Sequence, residues 1–475
     1  MRSLVFSLLA AAAALTSAKT RAKLPKGFAT TNGANFEVDG KPFAFVGANS
    51  YWLPLLTTQQ DVETTFKEMQ AGGVKVVRTW GFNAINGSEL AGAIDSGLTY
   101  YQVWNSSEWI LNPGPRGLQR LDHVVETAGK YGIKLILAFT NNWVGYGGME
   151  LYINWIAGAG NTHDVFYTDK RIIASFQRYV RTIVNRYKNS PNIFAWEMMN
   201  EARCLGDLPA GPECVPGSNT LHTWYEQQSN FVRSLDPFHM ITTGGEGHFY
   251  WKGNGPFSSD YNYNGQAGED FDLDLQLENI DFGTYVRSTL SSSSTHNSAF
   301  FVLRSTCTLR PGILNWTSLD LIGPPKPGVS NGYNNMLLVG ARPGVFSAIR
   351  QALIVLQAAK KANKPLILEE FGLSGLGEPS CFTERSPRAD KETENKTDIY
   401  PAWVDLALQT EHGIMPWQFG ALGLKESRGN RLIKYADAII KRGFSQRLEL
   451  AIYQNQTALW NVFRDAAVVQ ARRSR

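Results

Sequence analysis

The chain has 475 residues, 43% hydrophobic and 19% charged, the balance of a globular protein with a sizeable core. A formal net charge of +4, from 46 basic and 42 acidic residues, is too weak to argue for a nucleic-acid partner. No basic run with interleaved aromatics appears before the short tail Arg472, Arg473 and Arg475, which reads as a solvated end.

The first eighteen residues predict a secretory leader and hence an extracellular protein. Arg2 is the basic start, residues 4–15 are apolar, and Thr16-Ser17-Ala18 offers small residues for cleavage near Ala18. No later run suits a bilayer, which needs about 20 apolar residues, so no membrane partner is expected. Export gives meaning to the glycan-acceptor motifs at Asn86, Asn105, Asn315, Asn395 and Asn455. It also permits disulfides: Cys204 and Cys214 bracket a Gly/Pro-rich loop that a bridge would close. Cysteine spacing fits no zinc site, and the histidines show no metal-helix spacing, so neither metal nor cofactor is expected.

From residue 43 onward, short apolar runs alternate with longer amphipathic segments, the rhythm of a parallel sheet. Strands are predicted at 43–48, 74–79, 135–140, 193–198, 239–243, 280–284, 365–370 and 414–417. Helices are predicted at 61–71, 117–131, 171–187, 221–235, 348–363 and 401–411. Eight strands in this order suit a closed (β/α)8 TIM barrel, a single domain over 19–475 with long βα loops. In such a barrel the functional residues sit at the C-terminal ends of the strands. Polar and aromatic residues do collect there: Arg78-Thr79-Trp80, Asn141-Asn142-Trp143, Asn200-Glu201, Glu369-Glu370-Phe371-Gly372 and Pro416-Trp417. Residues 447–460 read as the barrel's closing strand and last helix contacts, and neither end carries the linker of a separate binding module.

Glu201 and Glu370, at the ends of strands four and seven, face each other across the predicted mouth. Two such carboxyl groups cleave glycosidic bonds when one protonates the leaving oxygen and the other attacks carbon or activates water. Their environments must differ, the acid having a raised pKa and the nucleophile an ordinary or lowered one. Arg78, at a neighbouring strand end, would hold Glu370 ionised. The thirteen tryptophans exceed what a core needs and suit sugar faces; Trp80 and Trp417 would wall the cleavage point. Trp143 and Glu246 are weaker candidates, and Trp251 reads as packing. A Ser/His/Asp hydrolase finds no Gly-x-Ser-x-Gly elbow, and 243–247 lacks the Lys of a phosphate loop.

Two stretches, Trp196-Glu197-Met198-Met199-Asn200-Glu201-Ala202-Arg203 and Leu368-Glu369-Glu370-Phe371-Gly372, resemble glycoside hydrolase family 5. Arg78-Thr79-Trp80-Gly81-Phe82-Asn83, Asn141-Asn142-Trp143 and Met415-Pro416-Trp417-Gln418-Phe419-Gly420 resemble its fungal endo-β-1,4-mannanases. The resemblance covers most of 30–285 and 355–465. It implies a retaining enzyme acting on plant β-mannan as a monomer, with Glu201 as acid/base and Asn200 bonding the sugar 2-hydroxyl. Glu370 would be the nucleophile, Glu369 would point away from the cleft, and Arg203 would contact leaving-side sugars. A family 5 endo-β-1,4-glucanase is the near alternative.

One segment departs from the pattern. Where the resemblance implies His-x-Tyr-Pro after Phe282-Gly283-Thr284-Tyr285, the chain has Val286-Arg287-Ser288-Thr289, and 286–357 reads as an irregular insertion. A translated intron followed by a shifted exon accounts for it. A Val codon opens with GT, and an AGC codon at Ser305 supplies a closing AG. Reading on from its third base gives His, then Met or Leu, then Tyr and Pro if Cys307 is TGT and Thr308 is ACC. Cys307 would then be a product of the frame, leaving Cys381 without that partner. Loss of the His and Tyr also supports a different class, a catalytically impaired barrel that only binds polysaccharide. Sequencing the transcript is the check: a mature message that stays open through 291–294 removes the intron explanation.

Overall fold

The computed structural model describes residues 24–105, 108–251, 260–286, 343–372, 396–410, 412–422, 424 and 451–474. Eight parallel strands form one sheet: β1 (Phe45–Asn49), β2 (Val76–Trp80), β3 (Lys134–Ala138), β4 (Ile193–Glu197), β5 (Met240–Thr242), β6 (Gly283–Val286), β7 (Leu366–Glu370) and β8 (Gly413–Ile414). The ladder runs β5-β4-β3-β2-β1-β8-β7-β6, so each strand lies beside its neighbours in sequence and the last pairs with the first. Only the join between β5 and β6 lacks a ladder. It is closed by the Asp281 amide donating to Ile241 O (2.8 Å), the Ile241 amide to Asp281 Oδ2 (2.8 Å) and the Thr242 hydroxyl to Phe282 O (3.1 Å). This is the predicted barrel. All eight predicted strands are present, with ends shifted by a few residues.

A helix follows each strand: α1 (Gln59–Ala71), α2 (Leu118–Lys130), α3 (Lys170–Tyr187), α4 (Thr220–Leu235), α5 (Phe271–Asp274), α6 (Pro343–Ala362), α7 (Lys396–Thr410) and α8 (Thr457–Arg473). Local chemistry sets their starts. Thr58 Oγ1 accepts the Asp61 amide ahead of α1, and Asp169 Oδ1 accepts the Arg171 amide ahead of α3. In α3, Ile172, Phe176, Tyr179, Val180, Ile183, Val184 and Tyr187 are buried, the i, i+4, i+7 stripe that lays a helix on a sheet.

Inside the barrel the period-two alternation of strands builds layers. Phe45, Val76, Ile136, Phe194, Met240, Phe282, Ile367 and Met415, one from each strand or its border, form an apolar floor. Phe36, from the hairpin Ala29–Asn32/Asn35–Val38, seals it from below, with ring centroids 5.1 Å from Phe194 and 5.3 Å from Phe282. Burying each such ring contributes about 1.5–3 kcal/mol. Two residues further along their strands, Arg78 and Glu369 replace that floor with charge, and Glu197 joins them three residues beyond Phe194, past a register shift in β4. All three are buried.

Three features differ from the sequence reading. The loop after β2 contains a small sheet, Ala84–Asn86, Gln102–Asn105 and Glu108–Leu111, because short runs such as Gln102-Val103-Trp104 pair locally and escape a barrel-wide period. Ile452–Tyr453 pairs with Phe419–Gly420 as a separate two-stranded ribbon and does not close the barrel, which β8 and β1 do. The expected irregular insertion at 286–357 falls mostly outside the described residues. Its end is regular: α6 begins at Pro343, and its Ala352, Ile354, Val355 and Leu356 are buried. Cys307 and Cys381 also lie outside the described residues. Among those described, no helix is long and apolar enough to cross a membrane.

Candidate active site

Arg78 is the centre of the charged layer, and each of its five N–H bonds is committed. Nε gives to Glu197 Oε2 (2.7 Å). Nη2 gives to Glu197 Oε1 (2.6 Å) and Asn200 Oδ1 (2.7 Å). Nη1 gives to Asn49 Oδ1 (3.3 Å) and to Glu370 Oε1. Asn49 is fixed in turn by its amide donating to Glu369 O (2.7 Å). One guanidinium thus gathers the ends of β1, β2, β4 and β7. The fork geometry needs arginine; lysine offers three donors from one point.

The same contacts orient the mouth. With Oδ1 turned to Arg78 and Nδ2 given to Asn141 Oδ1 (2.8 Å), Asn200 has a fixed amide and one N–H bond left for a ligand. Glu201 adopts a left-handed backbone, φ 51°, costly for a residue with a β-carbon and found where surroundings impose it. Its Oε2 accepts the Trp143 indole N–H at 2.5 Å. Beside it, Arg203 pairs twice with Glu246, Nη2 to Oε1 at 2.5 Å and Nε to Oε2. The guanidinium lies 5.3 Å from the Trp143 ring centroid and 5.8 Å from that of Tyr261. Glu246 is held from behind, where the Glu269 carboxylate accepts the amides of Glu246 (3.1 Å), Gly247 (3.3 Å) and His248 (2.9 Å).

The aromatic wall differs from the one expected. Trp417 is nearly buried and stacks on Tyr51, centroids 5.2 Å apart and planes 9° apart. Trp80 sits deeper, between Tyr51 (5.9 Å) and Phe82 (5.3 Å), with the Arg78 guanidinium 5.3 Å from its centroid. Trp80 therefore backs the wall and its ring faces are largely taken. Trp251 stacks on Tyr263 at 4.6 Å.

Burial and charge act together on the two carboxyls of the mouth. Burial pushes Glu201 up to about 6, helped by the charge of Glu246 and opposed by Arg203, Trp143 and Arg78. Burial pushes Glu370 further, to about 8, with Arg78 opposing and the charge of Glu201 adding to the rise. Arg78 pulls the Glu370 carboxyl back against burial, while its one charge also faces Glu197 and Glu369. The two carboxyls are coupled, the charge of Glu201 raising the pKa of Glu370. Glu369, expected to point away from the cleft, is fully buried, with Oε1 3.5 Å from Arg78 Nε.

Of the predicted residues, Arg78, Asn200, Glu370 and, through Asn200, Glu201 converge on one guanidinium. Trp143, Arg203 and Glu246 join at Glu201, and Trp417 and Trp80 meet on Tyr51. Glu197, Asn49, Tyr51, Tyr261 and Glu269 escaped the sequence reading. Glu197 had a signal, a charge at an inward position of the apolar run Ile193-Phe194-Ala195-Trp196. Asn49 ends strand one as Arg78 does strand two. The positions of Tyr261 and Glu269 in a loop gave none.

Two measurements test this geometry. Trp143→Phe removes a bond to the ionised form of Glu201, so its pKa rises and the alkaline limb of kcat/KM moves up by roughly half a pH unit; a downward shift contradicts the contact. Cys204 and Cys214 are bonded as expected, closing the loop after Glu201. Replacing both by Ser lowers stability by about 2–3 kcal/mol in denaturant titrations, the loop-closure value for so short a loop.

A family model described as glycoside hydrolase family 5 β-mannosidase-like matches residues 26–260. Mannan endo-1,4-beta-mannosidase F of Aspergillus clavatus is 42% identical over 267 residues, covering 55% of this chain and 57% of that protein. Mannan endo-1,4-beta-mannosidase A of Podospora anserina is 40% identical over 257 residues, covering 54% and 63%. The chain thus spans less than two thirds of these relatives' length. Among solved structures, the endo-1,4-beta-mannanase of Rhizomucor miehei superposes with a TM-score of 0.65 at 27% identity, covering 94% of this chain and 99% of that one.

Proposed function

Because the chain belongs to glycoside hydrolase family 5, we propose that it is a secreted endo-acting hydrolase cleaving β-1,4-mannosidic bonds of mannan or galactomannan with retention. One observation carries this reading: Arg78 bonds Glu370 through Nη1 and Asn200, the residue before Glu201, through Nη2, so two glutamates from opposite strands serve one cleft.

In the first step Glu370 attacks the anomeric carbon and Glu201 gives its proton to the departing oxygen. In the second, Glu201 takes a proton from water, which attacks the same carbon and releases Glu370. The productive state has Glu201 protonated and Glu370 ionised. Two features favour that state: the Arg78 N–H on Glu370 Oε1 stabilises the anion there, and the Glu246 charge favours the neutral acid at Glu201. The remaining N–H of Asn200 suits a sugar hydroxyl, whose bond strengthens as charge develops. Trp417 offers a flat apolar surface beside the cleavage point. Export is supported by the leader-like first residues and by the disulfide, a bond of oxidising compartments.

Incubation with unsubstituted mannan, glucomannan and carboxymethyl cellulose tests the substrate. Reducing ends should accumulate from the first two; release from cellulose alone defeats the mannan reading in favour of a glucanase. The absence of His-x-Tyr-Pro after Tyr285 favours the impaired barrel as second reading. Assaying the chain beside a version with His-Met-Tyr-Pro restored separates them: binding without turnover in the first and turnover in the second identifies the impaired form.

A further inference from the structure

Glu369 is the buried titratable group that this mechanism leaves without a task. Its carboxyl lies in the charged layer, fully shielded from solvent, directly beneath the guanidinium that holds the nucleophile. Proximity does not give it a bond. The single hydrogen on Arg78 Nε goes to Glu197 Oε2, and the four on Nη1 and Nη2 go to Glu370, Asn49, Glu197 and Asn200. Neither Glu369 oxygen receives a well-aligned hydrogen bond among the described residues; the Thr284 hydroxyl, whose contact with Gly245 O is long at 3.5 Å, is the one neutral donor within its reach.

The groups facing Glu369 are therefore Arg78, Glu197 and Glu370, with Thr284 nearby. One positive charge cannot balance three buried anions, and an ion buried without hydrogen bonds costs far more than a neutral acid in the same place. Glu197 takes two of the guanidinium's bonds, and Glu370 must ionise to attack. The proton falls to Glu369.

We propose that Glu369 is a positioning residue for the nucleophile, a buried carboxylic acid kept neutral beneath Arg78. It presents a carbonyl dipole to the guanidinium and leaves the positive charge to Glu197 and Glu370. The inference rests on the reading of Glu370 as nucleophile. Its direction agrees with burial and the charges of Glu197 and Glu370 pushing the Glu369 carboxyl well above the usual range, against Arg78 and the Thr284 hydroxyl. An ionised Glu369 would repel the charge that Glu370 must develop and push its ionisation higher still.

The test pairs a spectroscopic readout with a kinetic one. In an infrared difference spectrum at neutral pH, wild type minus Glu369→Gln should show loss of a protonated-carboxyl C=O stretch; loss of carboxylate bands alone overturns the proposal. With an aryl β-mannobioside, whose leaving group needs no acid, the acid limb of kcat/KM reports ionisation of Glu370. Glu369→Leu, which removes the dipole, should lower kcat about tenfold with KM little changed, and Glu369→Gln should restore most of that loss with the limb unmoved. A limb shifted to lower pH in Glu369→Gln, or a Leu variant equal to wild type, also overturns it. The infrared arm requires no turnover, so failure of the mannanase reading would appear in the kinetics alone.

Discussion

Glu370→Ala loses about 10⁵-fold in mannan turnover, as removal of a covalent nucleophile does, and remains folded. The fold survives because Glu370 is costly where it stands: burial raises its pKa to about 8, and Arg78 keeps Asn49, Glu197 and Asn200 when it goes. Added azide then distinguishes the two glutamates. In Glu370→Ala it fills the vacated side and attacks from the α face, giving α-mannosyl azide. In Glu201→Ala the glycosyl-enzyme still forms from an activated aryl substrate, and azide replaces water to give the β-anomer. The experiment is sharp because the anomer of the product reports which carboxyl attacks, independently of where the proton rests. Products of the opposite anomers would exchange the two roles. Undiminished turnover in Glu370→Ala would remove the mechanism.

The second large effect is expected at Arg78. Arg78→Met keeps much of the volume and removes the only cation touching Glu197, Glu369 and Glu370 among the described residues. Leaving buried carboxylates unpaired costs about 3–5 kcal/mol, and loss of the donor aimed at Glu370 costs roughly 10³-fold in kcat/KM. The stability loss should depend on pH with a definite sign. Without Arg78 the folded-state pKa values of Glu369 and Glu370, already raised by burial, rise further above their unfolded values. Stability is then fully present below the unfolded value and falls as pH climbs through the raised one. Urea titrations should show the variant nearest to wild type in acid and furthest from it near pH 8. A gap independent of pH would mean that the loss comes from packing and not from charge.

Much of the architecture was legible because burial on both faces writes parallel strands as short apolar runs, and these were found in all eight places. The barrel rule then led to the strand ends, and Arg78, Asn200, Glu201 and Glu370 do converge there. What stayed hidden depends on distance across the barrel. Nothing in Leu368-Glu369-Glu370 says that the first glutamate drops beneath a guanidinium while the second reaches the cleft. Nor does the sequence count donors: Arg78 was expected at Glu370, and it also serves Glu197, Asn49 and Asn200. The short runs at 84–86 and 102–111 were missed because their partners are each other.

The join between β5 and β6 carries a consequence for how the cylinder opens. There the Asp281 side chain stands in for a main-chain partner, receiving the Ile241 amide, while seven true ladders hold the rest of the wall. Parting this seam breaks a few isolated bonds and no ladder. Heavy-water exchange should therefore reach the amides of Ile241 and Asp281 before those of Val77 and Leu135. A circular permutant whose ends are placed at this seam would keep every strand pairing the natural order has.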